Sequence, residues 1–360
     1  MKFLLHLMVT LVFYGTALAQ TNPQQKDSTT QQTERLKEVV VTGNALLGSK
    51  FEARNKTGSA TYISNEDLKK FSYTNINRVL QTVPGINIYE EDGFGLRPNI
   101  SLRGTSPERS AKINLMEDGV LIAPAPYSAP AAYYFPTIGR MEAIEVLKGS
   151  SQIQYGPNTT GGAINMISTR IPERFSGKAS ITAGNYGSRN TQLVIGDSFK
   201  NFGFVTDYFN YNSDGFKNLD GGGNTGFDKS DYLAKFRVNS NLDAKTYQSL
   251  TFKIQYSEEE ANETYLGLTD EDFEENPYRR YRASSKDVMN AEHQQYQLTH
   301  FIQVSPSINI STTGYLNKFK RNWYKLDDVN LDERVSIGKI LSAPQDYPLE
   351  FQTILGNENR

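Results

Sequence analysis

The sequence predicts a mainly β protein, in which a compact α+β region precedes a wall of long antiparallel strands that crosses a membrane. Three observations point there. The chain opens with a secretory signal, it breaks beyond Pro172 into strand-length segments with alternately short and long connections, and its 360 residues carry 21 Tyr and 19 Phe against one Trp. These aromatics fall mostly at strand-like positions, as the interfacial girdles of a membrane barrel require.

The signal occupies residues 1–19. Lys2 gives a positive start, Phe3 to Phe13 is almost continuously apolar, and Ala17-Leu18-Ala19 supplies the small residues of a cleavage site before Gln20. The apolar run falls short of the ~20 residues a helix needs to cross a bilayer. With no Cys in the chain, the fold rests on packing and strand pairing. A mean hydropathy of -0.54 and a formal charge of -2 resemble those of a soluble protein. They suit a barrel equally, because a barrel shows lipid only alternate residues and keeps a polar lumen. The near-neutral balance argues against nucleic acid as a partner.

Residues 20–35 are rich in Gln, Thr and Ser, too poor in apolar groups to offset the entropy of folding, and are expected to form a flexible tether. Leu36-Lys37-Glu38-Val39-Val40-Val41-Thr42-Gly43 follows as a short β-branched stretch. It suits capture by a partner's sheet edge through main-chain hydrogen bonds, or else the first strand of the next domain.

In the α+β region, Ser64 is placed to cap a helix starting near Asn65, with Glu66 and Asp67 complementing the dipole in its first turn. A second short helix is expected over Ile76 to Gln81, stopped by Pro84 and Gly85, after which Ile86 and Ile88 alternate as in a strand. Further short strands are expected at Ile100 to Arg103, Lys112 to Met116, Ile144 to Leu147 and Ala163 to Ile167. Tyr155-Gly156-Pro157-Asn158 and Gly161-Gly162 supply tight turns just before the region hands over to the wall.

Wall strands are expected at 176–185, 189–198, 202–212, 230–240, 247–258, 292–304 and 307–322, with an eighth starting near Glu350. Connections 199–203, 241–247 and 305–306 are short, whereas 213–229, 259–291 and 323–349 are long. That bias distinguishes a membrane barrel from a soluble sandwich. An open edge cannot stand in hydrocarbon, and seven or eight strands leave no room for an inner domain. The strands are therefore expected to be the first part of a larger barrel.

Glu38-Val39-Val40-Val41-Thr42-Gly43 resembles the TonB box of TonB-dependent outer-membrane receptors. In chain order, Ile63-Ser64 with Glu66-Asp67-Leu68, Asn77-Arg78-Val79-Leu80-Gln81-Thr82-Val83-Pro84-Gly85-Ile86, Ile100-Ser101-Leu102-Arg103-Gly104, Met116-Glu117-Asp118-Gly119-Val120 and Ile144-Glu145-Val146-Leu147-Lys148-Gly149 are similar to successive motifs of that family's plug. The resemblance implies an N-terminal α+β plug domain at 50–170, inside a transmembrane antiparallel β-barrel. Residues 176–360 would be the first seven or eight of the family's 22 strands. It further implies location in the outer membrane of a Gram-negative bacterium, plug and tether facing the periplasm. TonB, with its inner-membrane energising complex, is then the partner of Glu38, Val39, Val40, Val41 and Thr42. Within the family, Thr264-Tyr265-Leu266-Gly267-Leu268-Thr269-Asp270, Asn276-Pro277-Tyr278-Arg279-Arg280-Tyr281 and Arg97-Pro98-Asn99-Ile100 are similar to ferric dicitrate receptors. Tyr127-Ser128-Ala129 departs from the Tyr-Gly-Gln of that subfamily and lacks its side-chain amide.

The implied chemistry is recognition and import of a ferric chelate, most simply ferric citrate or a related siderophore, with iron entering only as part of the cargo. Such a chelate saturates iron with its own oxygens and is left anionic, so guanidinium groups are the expected contacts. Arg97 and Arg103 on the plug, Arg321 and Arg334 beside the fourth loop, and Arg279 and Arg280 in the third are the candidates. Each could equally form a structural ion pair or a solvated charge, and the acidic run Asp270 to Glu275 could neutralise its neighbours. That run lacks the glycine turn of a calcium loop, and no metal site or cofactor is expected. Gly221-Gly222-Gly223 is followed by no Lys-Ser/Thr pair, and no acid–base constellation suggests an enzyme. The alternatives are an importer of a non-iron solute and a passive porin or adhesin, which would need neither tether nor plug.

Overall fold

The computed structural model describes residues 45–356, apart from 57, 72–73, 123–133 and 157–159. The signal, the tether, the stretch 36–43 with Glu38 to Thr42, and Tyr127-Ser128-Ala129 lie outside the described residues.

Short, well-capped elements build the plug. Helix α1 (Lys50–Asn55) begins where the Ser49 hydroxyl accepts the Glu52 amide at 3.2 Å. Strand β1 (Ser59–Ile63) leads to α2 (Asn65–Phe71), where the Ser64 amide donates to Asp67 at 3.0 Å and the Asp67 amide returns to the Ser64 hydroxyl. This reciprocal pairing is a capping box with Asp in the acidic position. The carboxyl of Asp67, hydrogen-bonded first by Lys50 and then by Ser64, is held at about 2. Helix α3 (Ile76–Leu80) is capped by Asn75, and Gly95 must lack a side chain because a Cβ there would lie 2.2 Å from the Asn75 amide oxygen.

Next come the hairpin β2 (Ile86–Tyr89) and β3 (Asn99–Leu102), then β4 (Ile113–Glu117), β5 (Val120–Leu121), β6 (Met141–Lys148) and β7 (Gly162–Ser168). One mixed sheet runs β1-β6-β7-β4-β5, with β4 and β7 parallel. Ile100, Leu102, Leu115, Ile122, Ile144, Val146, Ile164 and Met166 form its core, and the inner turns of α3 close it with Val79 and Leu80. β-Branched and aliphatic residues at successive positions of β6 and β7 fit strands covered on both faces.

The wall follows in consecutive antiparallel order. It comprises β8 (Ser176–Ala183), β9 (Arg189–Ser198) and β10 (Phe202–Ser213). A short loop strand β11 (Asn218–Leu219) separates these from β12 (Phe227–Asn239) and β13 (Tyr247–Asn262). Another, β14 (Arg279–Arg280), comes before β15 (Val288–Ser305) and β16 (Ile308–Tyr324). The seven long strands match the positions expected from the sequence, extended at the loop side in β12, β13 and β15. Register sets side chains in rows across the outer face. Phe204, Phe236, Phe252 and Leu298 align, as do Tyr208, Tyr232 and Tyr256. Beyond the tyrosines the next outward row is Asn210, Ser230, Glu258, Glu292 and Lys320. An apolar belt edged by tyrosines and then by charges is the pattern of a membrane-facing barrel wall.

The eighth strand expected near Glu350 is instead a helix. The fourth loop holds the hairpin β17 (Asp328–Asn330) and β18 (Arg334–Ser336), then α5 (Ile337–Ser342) and α6 (Pro348–Leu355). Pro348 opens α6 where no amide partner is needed, and Gly356 closes it at φ +74. The acidic run likewise forms a short helix, α4 (Asp270–Glu275), whose N-cap Thr269 hydroxyl accepts the Asp272 amide. Three acids in its first turn suit the dipole. The third and fourth loops share an apolar core of Leu266, Tyr281, Val329, Ile337, Ile340 and Ile354, with the Tyr281 ring edge-on to Phe351.

Candidate functional site

Strand alternation turns Lys229, Asp231, Lys235, Lys253, Gln255 and Glu259 inward, where the plug covers them. The plug answers with charges of its own. Between β4 and β5 a two-residue turn places Asp118 (φ +49) and Gly119 (φ +78) at the sheet end, the backbone signature of an Asp-Gly hairpin. Arg140, in the tight turn before β6, forks onto both Glu117 oxygens at 2.7 and 3.0 Å and reaches wall residue Asp231 at 3.2 Å. Lys253 of the wall reaches back to Glu117 at 2.6 Å and Asp118 at 2.7 Å, while Lys235 lies 3.2 Å from Asp118. Tyr134 adds its hydroxyl to Arg140 and Gln255, each at 2.7 Å. Thr169, just past β7, bonds the wall carboxylate Asp207.

Every charge in this cluster is almost wholly buried. Burial alone pushes the Glu117 carboxyl up, but Arg140 and Lys253 outweigh it and hold the group at about 2. Burial opposes ionisation of Asp118 in the same way, and Lys235 and Lys253 again hold it well below the usual range. Desolvation favours neutral Arg140, whereas Glu117 foremost among its neighbours keeps it charged. A bidentate Arg–carboxylate pair with its remaining donors satisfied is the geometry in which buried charges are tolerated.

A second cluster lies nearer the long loops. Arg97, in the β2–β3 connection, is 4% exposed; it pairs with Glu259 of the wall and faces Glu263 at 3.0 Å, while Lys229 lies 3.0 Å from Glu259. Burial favours the neutral form of Arg97, but the acids, Glu259 first, keep it charged. Its guanidinium also touches the Met289 sulfur at 3.3 Å, and Met289 stands directly opposite Trp323 in the ladder. Around Trp323 gather Tyr265, whose ring meets it edge-on at 5.2 Å, Lys325, 4.4 Å from the Tyr265 ring centre, and Arg321, 5.6 Å from the indole. Inward register and the loop base thus assemble cations and aromatic rings above the plug.

The candidate arginines occupy several places. Arg97 touches Met289, which stands opposite Trp323, and Arg321 faces the Trp323 ring. Arg103 takes a positive φ (+56) at the far end of the β2–β3 hairpin, where its amide donates to Gly85 and its guanidinium packs over Gly149. Six residues of chain put up to roughly 20 Å between Arg97 and Arg103. Arg279 bridges Asp220 at 2.9 Å and Asp272 at 2.6 Å, tying the second loop to α4, so the acidic run does meet it. Arg280 donates to the carbonyls of Pro277 and Arg279, and burial lowers its pKa. Arg334 is 76% exposed and pairs with Asp328 across its own hairpin. Among the described residues no group of His, Asp and Glu is arranged to hold a metal.

Sequence reasoning gave Glu117 and Asp118 only as part of a plug motif and passed over Arg140, Lys235 and Lys253. The Glu-Asp-Gly step at a strand end and the lysines at inward positions of amphipathic strands were the signals available. Their meeting depends on which face of the plug docks, and alternation alone does not say that.

The mixed sheet and its helices thus sit against the inner face of a seven-stranded antiparallel wall. Residues 52–163 match the family model of the TonB-dependent Receptor Plug Domain. In overall fold the chain is similar to the unliganded ferric citrate transporter FecA, with a TM-score of 0.66 and 20% identity over 77% of this chain and 42% of that one. It is also similar to the ferric yersiniabactin uptake receptor FyuA from Yersinia pestis, at a TM-score of 0.60 and 17% identity over 76% and 43% of the two chains. The siderophore receptor PirA from Pseudomonas aeruginosa aligns at a TM-score of 0.54 and 16% identity, over 74% and 41%. The chain thus spans about two-fifths of the length of these solved receptors.

Proposed function

We propose that this chain supplies the plug and part of the wall of a TonB-dependent outer-membrane receptor that imports an anionic ferric chelate, ferric citrate or a related iron–siderophore. The observation that carries the reading is a plug of the TonB-dependent type fixed inside a barrel wall by buried ion pairs. A passive pore has no use for such an obstruction. In this reading the long loops face the medium, the stretch 36–43 faces the periplasm, and TonB adds a strand to Val39, Val40 and Val41. Ligand recognition is assigned to the loop-side cluster. Arg321 and Lys325, set against Trp323 and Tyr265, offer cationic and aromatic surface to an anionic chelate. Arg97 supports that surface from the plug while its own charge is matched by Glu259 and Glu263. Titrating the full-length protein, purified in detergent, with ferric citrate and with competing chelates tests the cargo. Saturable binding of a ferric chelate is expected; binding of iron-free solutes alone would overturn the iron reading.

A further inference from the structure

In the segment that enters the plug at Ala45, Leu47 packs against Ala53 and Leu147, and three successive amides converge on a single carboxylate. Glu145, in β6 and fully buried, accepts the amides of Leu46 at 2.7 Å, Leu47 at 2.9 Å and Gly48 at 2.8 Å. The side-chain amide of Asn165 adds a fourth donor at 2.8 Å. Three successive main-chain amides converging on one anion make a backbone nest, and Gly48 at φ +78 allows the chain to curl round it. The arrangement differs from that of Glu117 and Asp118, whose charges are met by Arg and Lys.

From Glu145 the contacts continue to the wall. The Asn165 side-chain oxygen accepts the Gly119 amide at 2.9 Å, and the adjoining Asp118 carboxylate is held by Lys253 and Lys235. β1, which follows α1, is an edge strand whose neighbour in the sheet is β6, with Tyr62 opposite Glu145.

We propose that Glu145 is a positioning residue, a clasp that holds the entering segment on the plug sheet. Through Asn165 and Gly119 it links that segment to the Asp118 turn locked by the wall. Traction from the N-terminal side breaks the three amide contacts first, peels edge strand β1 from β6 next, and loads the wall ion pairs last. The clasp stands on its own geometry; its part in transport rests on the TonB reading above.

Amide hydrogen exchange of the full-length protein in detergent tests the clasp without TonB. In Glu145→Gln, exchange at residues 46–48 and in β1 should quicken by about tenfold or more, since charge-assisted bonds become neutral ones, while β4, β7 and the wall keep their protection. Leu46→Pro removes one donor and leaves Glu145 in place, and should quicken exchange at Leu47 and Gly48. Asn165→Ala should quicken Gly119 and residues 46–48 together. Unchanged exchange at 46–48 in Glu145→Gln together with unchanged exchange at 47–48 in Leu46→Pro, or equal acceleration through the whole plug sheet, overturns the clasp. Unchanged exchange at 46–48 in Asn165→Ala overturns the link to the wall. Failure of the TonB reading would show separately, as uptake insensitive to Val40→Pro.

Discussion

The Lys253 ammonium of the wall lies 2.7 Å from the Asp118 carboxylate of the plug, with both side chains buried. One inward lysine thereby ties the turn of a plug hairpin to the barrel, and it reaches Glu117 as well. Removing Lys253 leaves Asp118 to Lys235 alone and Glu117 to Arg140 alone, a loss smaller than the roughly 3–5 kcal/mol of stranding a lone buried charge. Lys253→Met should therefore loosen the plug sheet without dissolving the wall. The check is hydrogen exchange, with faster exchange expected at β4 and β5 and unaltered protection in β12 and β13.

The same cluster sets a pH dependence. Glu117 is held at about 2 against an ordinary 4.5. Its folded pKa is depressed, so its stabilising contribution is fully present above about 4.5 and is lost as pH falls toward 2. Asp118 is shifted in the same direction and adds to the loss. Denaturant unfolding of the plug should be nearly level from neutral pH to about 5 and weaken steeply below 4.5. Glu117→Gln should flatten that acid limb.

Close approach at Gly139 is a third test. A Cβ there would lie 2.0 Å from the Phe209 ring of the wall, so the plug turn carrying Arg140 can dock only with glycine at that point. Gly139→Ala should destabilise the docked plug by about 1–3 kcal/mol, the usual range for overpacking. Gly139→Ala combined with Phe209→Leu should recover part of the loss, measured by thermal unfolding.

Arg97 and Arg321 should separate on mutation. Arg97→Ala strands Glu263 in a buried site and leaves Glu259 to Lys229 alone, and should cost stability of about 3 kcal/mol, with ligand affinity following indirectly. Arg321, on the inward wall above the plug, faces the Trp323 ring; Arg321→Ala should weaken chelate binding while changing stability by about 1 kcal/mol. Paired titration and thermal unfolding of the two variants would tell these outcomes apart.

Local patterning carried most of the fold. Ser64 and Asp67 announced the start of one helix, Pro84-Gly85 the stop of the next, and turn-separated segments the strands of the wall, because each is decided by neighbours in sequence. The fourth loop was read less well. Glu350-Phe351 has strand-like composition, and only the cap pair Pro348 and Gly356, together with burial of Ile354 against the third loop, makes it helical. Tertiary packing overrode propensity there. The buried charges were the least legible part. Lys235 and Lys253 look like any lumen-facing polar residues, and nothing local says that Asp118 will be waiting 135 residues earlier in the chain. Arg97 stood among the candidate ligand contacts on the plug, yet nothing in its sequence neighbours points to Glu259 and Glu263, more than 160 residues on, as its partners.

The most direct test of an energised, plugged receptor is uptake of a labelled ferric chelate by cells carrying Val40→Pro in the full-length protein, measured beside binding at the cell surface. Proline removes the main-chain donor that strand addition by TonB would use. Binding equal to the unaltered protein with uptake abolished is the predicted result; uptake at the unaltered rate would contradict it.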